Sequence, residues 1–102
     1  MTENEVKKLA LDCLREKRCM ELIYKGYKRL VEVHTVGTNT AGHLAMRVYQ
    51  VGGGSSSGKV EDWKMMLLSQ VSAARITQKK SEAPKTDYHR DDQDFRIIDS
   101  QI

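Results

Sequence analysis

The chain has 102 residues, 39% of them apolar, with 17 Lys and Arg against 14 Asp and Glu. That length predicts one domain with one modest core, too small for a two-domain catalytic cleft. The charge is uneven: residues 1–85 hold 15 Lys and Arg against 9 Asp and Glu, and residues 86–102 hold 2 against 5, so a basic body precedes an acidic tail.

Residues 1–18 read as a helix. Val6, Leu9, Ala10, Cys13 and Leu14 recur at i, i+3, i+4, i+7 and i+8, one apolar stripe. Thr2 and Glu5 have the spacing of a capping box, and Arg15, Lys17 and Arg18 crowd the last turn, where they suit the helix dipole. Residues 19–24 look like a strand, and Lys25-Gly26-Tyr27 like a turn. Residues 28–36 alternate over a β-branched stretch, with Leu30, Glu32, His34 and Val36 on one side: a second strand. Residues 37–42 are rich in turn formers, and residues 43–51 read as a third strand. Residues 52–58 are all Gly and Ser, a flexible connection by composition. Residues 60–77 fit two patterns, the helix slightly better because Met, Leu, Gln and Ala are helix formers. Val60, Trp63, Leu67, Val71 and Ala74 suit a helix; residues 63–68 and 71–76, joined at Ser69-Gln70, suit two short strands. Residues 78–86 are a polar linker containing the only proline, Pro84. Phe95, Ile98 and Ile102 then lie at i, i+3 and i+7 behind Asp91 and Asp92, which predicts a capped helix near 92–101 docking on the body.

No uninterrupted apolar run approaches the roughly 20 residues that a membrane-spanning helix needs. The N-terminus lacks an apolar signal-peptide core, so a cytoplasmic protein without a membrane partner is expected. The two cysteines, Cys13 and Cys19, are too few for a disulfide scaffold or a four-ligand zinc site, and no metal or cofactor is expected. Gly53-x-x-x-x-Gly58-Lys59 has the spacing of a phosphate-cradling loop. Val60 stands where that loop needs a hydroxyl to hold magnesium, so nucleotide hydrolysis is not expected. Contact of the Gly/Ser amides and Lys59 with a phosphate is compatible with the spacing. No base is predictably held beside a nucleophile, and the paired carboxylates Glu61-Asp62 and Asp91-Asp92 are sequence neighbours, so the chain does not read as an enzyme.

Cations interleaved with aromatics are the more informative feature. Arg29, His34, Arg47, Tyr49, Trp63 and Lys64 fall on or beside the expected strands. A sheet presenting such residues can stack bases and pair phosphates; they also suit a core aromatic cluster under a solvated face.

The order of these pieces resembles the WYL domain family. Leu22-Ile23-Tyr24 looks like its first-strand signature, and Arg29-Leu30-Val31-Glu32-Val33-His34 resembles its pattern Arg-x-Val-Glu-Pro-His, with Val33 in place of proline. Residues 42–50, ending near Tyr49, resemble the third strand. Gly54-Ser55-Ser56-Ser57-Gly58 followed by Trp63-Lys64-Met65-Met66 resembles the loop and fourth strand of a stand-alone subgroup, and Tyr88-His89-Arg90-Asp91-Asp92 resembles its tail. His43-Leu44-Ala45 stands where the name-giving Trp-Tyr-Leu would. The resemblance implies a mainly β fold with flanking helices (α+β) in a single domain, residues 1–102. It comprises a helix over 1–18, a five-stranded SH3/Sm-like barrel over 19–77, and a linker with a docking tail helix over 78–102. It makes residues 60–77 two strands. It further implies a non-catalytic ligand-sensing module of bacterial transcription regulation, binding nucleic acid or nucleotide through Arg29, His34, Arg47, Tyr49 and Lys64. No helix-turn-helix fits before Leu22, so a partner regulator would read the DNA. The different reading is a protein-interaction or homo-oligomerisation module using the strand edges of the same barrel.

Overall fold

A computed structural model of the chain describes residues 1–55, 58 and 60–102. The expected phosphate contact through Ser56, Ser57 and Lys59 falls outside the described residues. The N-terminal helix, α1, spans Glu3–Glu16. Its start follows from the capping box: the Glu5 N–H donates to Thr2 Oγ1 at 3.1 Å, and the Thr2 N–H donates to Glu5 Oε1 at 2.8 Å. Its end follows from Lys17, which turns left-handed at φ 55°. Arg18, expected in the helix, therefore opens the first strand instead. The apolar stripe does what its spacing predicts: Val6, Ala10, Cys13 and Leu14 are all buried.

Six strands follow: β1 (Arg18–Tyr24), β2 (Tyr27–Asn39), β3 (Leu44–Gly53), β4 (Asp62–Leu67), β5 (Val71–Lys80) and β6 (Phe95–Gln101). They form one antiparallel sheet in the order β4-β3-β2-β1-β5, with β6 added to β2. The β1–β2 hairpin turns on Lys25 and Gly26, both at positive φ as a tight two-residue turn of matching twist requires. The ambiguous stretch resolves into β4, a 3₁₀ turn at Leu68–Gln70, and β5. Neither strand is made by propensity, since Met, Leu, Gln and Ala favour helix; ladder pairing with β3 and β1 decides it. One face of the sheet closes on α1 in a core built from Met20, Leu22, Val31, Val33, Val36, Met46, Val48, Met66 and Leu68.

β2 organises the sheet. It spans Tyr27–Asn39, and one of its edges serves two partners in succession. Residues 27–31 pair with β1, and residues 35–39 pair with β6. Its other edge pairs with β3 from Arg29 to Thr38, with register shifts between Leu30 and Val31 and between Val33 and Thr35; the second concerns His34. His34 is the extra residue of that bulge, and a bulge re-aims the side chain it carries.

The tail departs from expectation. Residues 95–101 are a sixth strand, and the described residues contain no C-terminal helix. Two forces explain it. Ile97 and Ile98 are β-branched and suit a strand, and a helix of about ten residues is marginal in water. The edge of β2 beyond Val31 also holds N–H and C=O groups that need partners. Two register shifts in the β2–β6 pairing break the period of two, so the apolar residues of β6 do not alternate strictly. Docking holds for two of the three expected residues: Phe95 is buried at 8% exposure and Ile102 packs against the core, whereas Ile98 is only partly buried.

Two substitutions test this account of the tail. A Cβ on Gly37 would stand 2.0 Å from the Ile97 carbonyl oxygen. Gly37→Ala should therefore push β6 outward and cost about 1–3 kcal/mol. Phe95→Ala should cost about 3 kcal/mol through the cavity it leaves. Urea denaturation reads both, and an unchanged midpoint in either would mean that β6 contributes no stability.

Candidate functional site

Residues 81–94 leave β5 and run back across the face of β2 and β3 that points away from α1. Seven contacts tie this strap down. The Ser81 N–H donates to the Lys17 carbonyl at 2.8 Å. The Glu82 N–H donates to Glu32 Oε2 at 2.6 Å. The Lys85 N–H donates to His34 Nε2 at 3.1 Å. The Tyr88 hydroxyl donates to the His34 carbonyl at 3.2 Å and meets Thr35 Oγ1 at 2.8 Å. Arg47 forms ion pairs with Asp92 at 2.8 Å and Asp94 at 2.6 Å.

His34, expected on a ligand surface, is fully buried beneath this strap. Because Nε2 accepts from Lys85, the ring proton sits on Nδ1, which donates to the Glu32 carbonyl at 3.0 Å. Both nitrogens are used, and burial holds the imidazole below its ordinary pKa. The ring packs edge-on against Trp63 at 4.7 Å and tilted against Tyr88 at 4.9 Å. Trp63 in turn meets Tyr49 edge-on at 5.3 Å and stacks on Tyr88 at 6.1 Å. Tyr49 is half-buried, with the Lys85 ammonium 5.2 Å above its ring.

Arg47 is likewise committed. Burial works to lower its pKa, but the bonds to Asp92 and Asp94 outweigh it and raise the value. Burial works to raise the pKa of Asp92, and the Arg47 bond lowers it on balance. Arg47 and these aspartates line a pocket of about 230 Å³ with Trp63, Asp87, Tyr88 and His89. Three of its seven lining residues are aspartates, so it is a poor place for a phosphate.

The remaining two expected residues meet elsewhere. Arg29 and Lys64 line a separate pocket of about 280 Å³, with Tyr24, Lys25, Ser55, Trp63, Met65 and Met66. Arg29 is only 3% exposed. Its Nη1 donates to Gln50 Oε1 at 3.3 Å and its Nη2 to the Tyr24 carbonyl at 3.1 Å. Its guanidinium lies 5.2 Å from the Tyr24 ring centroid and 5.6 Å from that of Tyr27. Its Nε–H is buried with no acceptor among the described residues. Lys64 Nζ reaches Ser55 Oγ at 3.2 Å. No carboxylate is among the residues lining this pocket.

The five expected residues thus do not form one continuous strand surface. Arg29 and Lys64 converge, Arg47 belongs to the acidic pocket, Tyr49 lies between under Lys85, and His34 is beneath the strap. Sequence reasoning missed Lys25, which reads locally as a turn residue. It also missed Lys85 and Tyr88, whose contacts lie some 50 residues away in the chain. Trp63 is the wall shared by both pockets. Both cysteines are free and buried, and burial pushes the Cys13 thiol up to about 12. Among the described residues no group of three His, Cys, Asp or Glu side chains could hold a metal ion, and no helix is long and apolar enough to cross a membrane.

The strap gives a pH prediction. The folded pKa of His34 lies below its unfolded value, so the unfolded chain takes up the proton first as pH falls. Stability should be complete above about pH 6.5 and fall by about 1.4 kcal/mol per pH unit down to the folded pKa. His34→Gln should flatten that slope in urea titrations between pH 7.5 and 5. An equal slope in the variant would assign the loss to other groups. No protein-family model, no curated protein and no solved structure matches the chain.

Proposed function

We propose that the chain is a non-catalytic ligand-sensing or regulatory module, an SH3/Sm-like barrel of the WYL type, that binds nucleic acid or nucleotide through phosphate. The observation that carries this reading is the pocket where Lys25, Arg29 and Lys64 converge without a lining carboxylate. A phosphate there would meet two or three cations and the free Arg29 Nε–H, beside the rings of Tyr24 and Trp63. Arg29 and Lys64 make the contact in this reading. Tyr49 and Arg47 flank it, and His34 acts from beneath by holding the strap. The barrel assignment is supported by the element order: a helix, five consecutive strands, and the fifth strand returning to pair with the first. Two free, buried cysteines suit the reducing cytoplasm.

A protein-interaction module remains the second reading, favoured by one observation. Among the described residues β4, β5 and β6 each pair on one side only, which leaves edges for another chain to extend.

Fluorescence anisotropy with labelled single strands and nucleotides, at low and at raised salt, separates the two. Binding should weaken steeply with salt. Arg29→Ala should reduce affinity by about 1.5–3 kcal/mol, the range for a charge-assisted hydrogen bond. Lys64→Ala tests the same pocket from its half-buried rim, and melting temperatures report whether each variant folds. No binding at high micromolar protein, or binding indifferent to both substitutions together, transfers the reading to the strand edges.

A further inference from the structure

The chain has one Trp, four Tyr and one Phe, and of these only Tyr27 is exposed, at 41%. Tyr24 is 7% exposed, and its hydroxyl accepts the Leu67 N–H at 3.2 Å. Trp63 is held by His34, Tyr49 and Tyr88, and Tyr49 lies under Lys85. Tyr27 is thus the aromatic surface most open to another ring.

An exposed tyrosine by itself needs no explanation. This one is placed and held. It opens β2 directly after the Lys25-Gly26 turn and pairs with Tyr24 in the hairpin register. The Arg29 guanidinium lies over its ring, 5.6 Å from the centroid, and over that of Tyr24 at 5.2 Å. Beyond the end of β3, a Cβ on Gly54 would stand 2.7 Å from Tyr27 Cδ1, so the ring fills space that a glycine leaves. The Gly54 N–H donates to the Lys28 carbonyl at 3.0 Å, which fixes that neighbour in turn. A ring held in this way loses little conformational entropy when a ligand settles on it.

Its position relative to the pocket gives the chemistry. Arg29 lines the pocket proposed for the phosphate, and Tyr27 packs on Arg29. A phosphate against Arg29 and Lys25 therefore has an open aromatic ring beside it. An unpaired nucleotide uses that combination, a cation for its backbone and a ring for its base. A base inside a duplex is already stacked and has no face to offer.

Resting on the phosphate-binding reading above, we infer that Tyr27 is the platform on which the ligand's base stacks, so that the ligand is an unpaired nucleotide or single strand, and neither a bare anion nor a duplex. The stacking role moves from Tyr49, where strand position suggested it, to the hairpin tip.

Fluorescence anisotropy of the full chain with three labelled probes tests this. They are a ten-residue oligothymidylate, an abasic strand of the same length and charge, and a G·C-rich duplex of the same length. The oligothymidylate should bind at least about fivefold tighter than the abasic strand, the lower end for one stacked base. It should also bind tighter than the duplex, although the duplex carries more charge. Tyr27→Ala should remove the advantage over the abasic strand, Tyr27→Phe should keep it, and Tyr49→Ala should leave it unchanged. Tyr27→Leu keeps an apolar cover on Arg29 without the ring, and should behave as Tyr27→Ala does at an unchanged melting temperature. An equal loss for thymidylate and abasic strands in Tyr27→Ala and Tyr27→Leu would mean that the ring only props Arg29, and overturns the inference. Wild-type binding that is equal for both strands, or at least as tight for the duplex, overturns it too and leaves the phosphate reading standing. No binding of any probe at high micromolar protein overturns both.

Discussion

The bulge at His34 is the constraint on which the rest of the molecule depends. β2 pairs with β1 before it and with β6 after it. The extra residue shifts the β2–β3 register at that point, and Ile102 of the tail donates its N–H to the His34 carbonyl at 2.9 Å. The side chain goes to the face opposite α1, where it would be an unsatisfied polar group in an aromatic cluster without a second layer. The strap is that layer. It supplies the Lys85 N–H to the ring and the Tyr88 hydroxyl to the His34 carbonyl, so one bulged residue fixes where the chain crosses on its way to β6.

The molecule therefore has two cores of different character. The one under α1 is apolar and its energy is area removed from water. The one under the strap is polar: Glu32, His34 and Thr35 are all buried, and each hydrogen-bonds to the strap. A polar network of this kind is specific because half-satisfying it is worse than not having it. Its one weak member is Glu32 Oε1, which has no hydrogen bond but faces the Lys85 ammonium at 3.6 Å. Arg29 Nε, on the other side of Trp63, has not even that. The contrast separates a group that the fold has compensated from one that it has not.

Legibility in the sequence followed how local each signal is. α1 was readable because stripe, capping box and basic last turn agree within residues 2–18. β1 to β3 were readable from alternation and Gly turns. Residues 60–77 were not, because Met65, Met66, Leu67 and Leu68 present the same apolar run to either period. The tail misled for a physical reason: register shifts in the β2–β6 pairing break the alternation that marks a strand, and the residual spacing of Phe95, Ile98 and Ile102 imitates a helix. Among site residues, Arg29 and Lys64 were named and do meet. His34 was named for its chemistry, and nothing local to it tells that residues 81–94 will cover it.

The division of charge along the chain acquires a spatial meaning in the fold. The acidic tail does not neutralise the basic body evenly. Asp92 and Asp94 close on Arg47, and Asp99 reaches Lys7 at 3.0 Å. Glu82, from the end of the basic segment, joins Glu32 around Lys85. Each of these spends a carboxylate on a cation of the outer face or of α1. None of these carboxylates pairs with Arg29. Net charge alone, +3 over the whole chain, would suggest a weak and diffuse attraction for anions. Local pairing changes that expectation, because one of the cations left without an ion pair among the described residues is a buried guanidinium, Arg29, set against aromatic rings. A surface tuned only for solubility would spread its excess charge in water, where each group is well hydrated. Holding Arg29 out of water without an ion pair among the described residues is costly, and what the fold sets against that cost is Gln50, the Tyr24 carbonyl and the rings of Tyr24 and Tyr27.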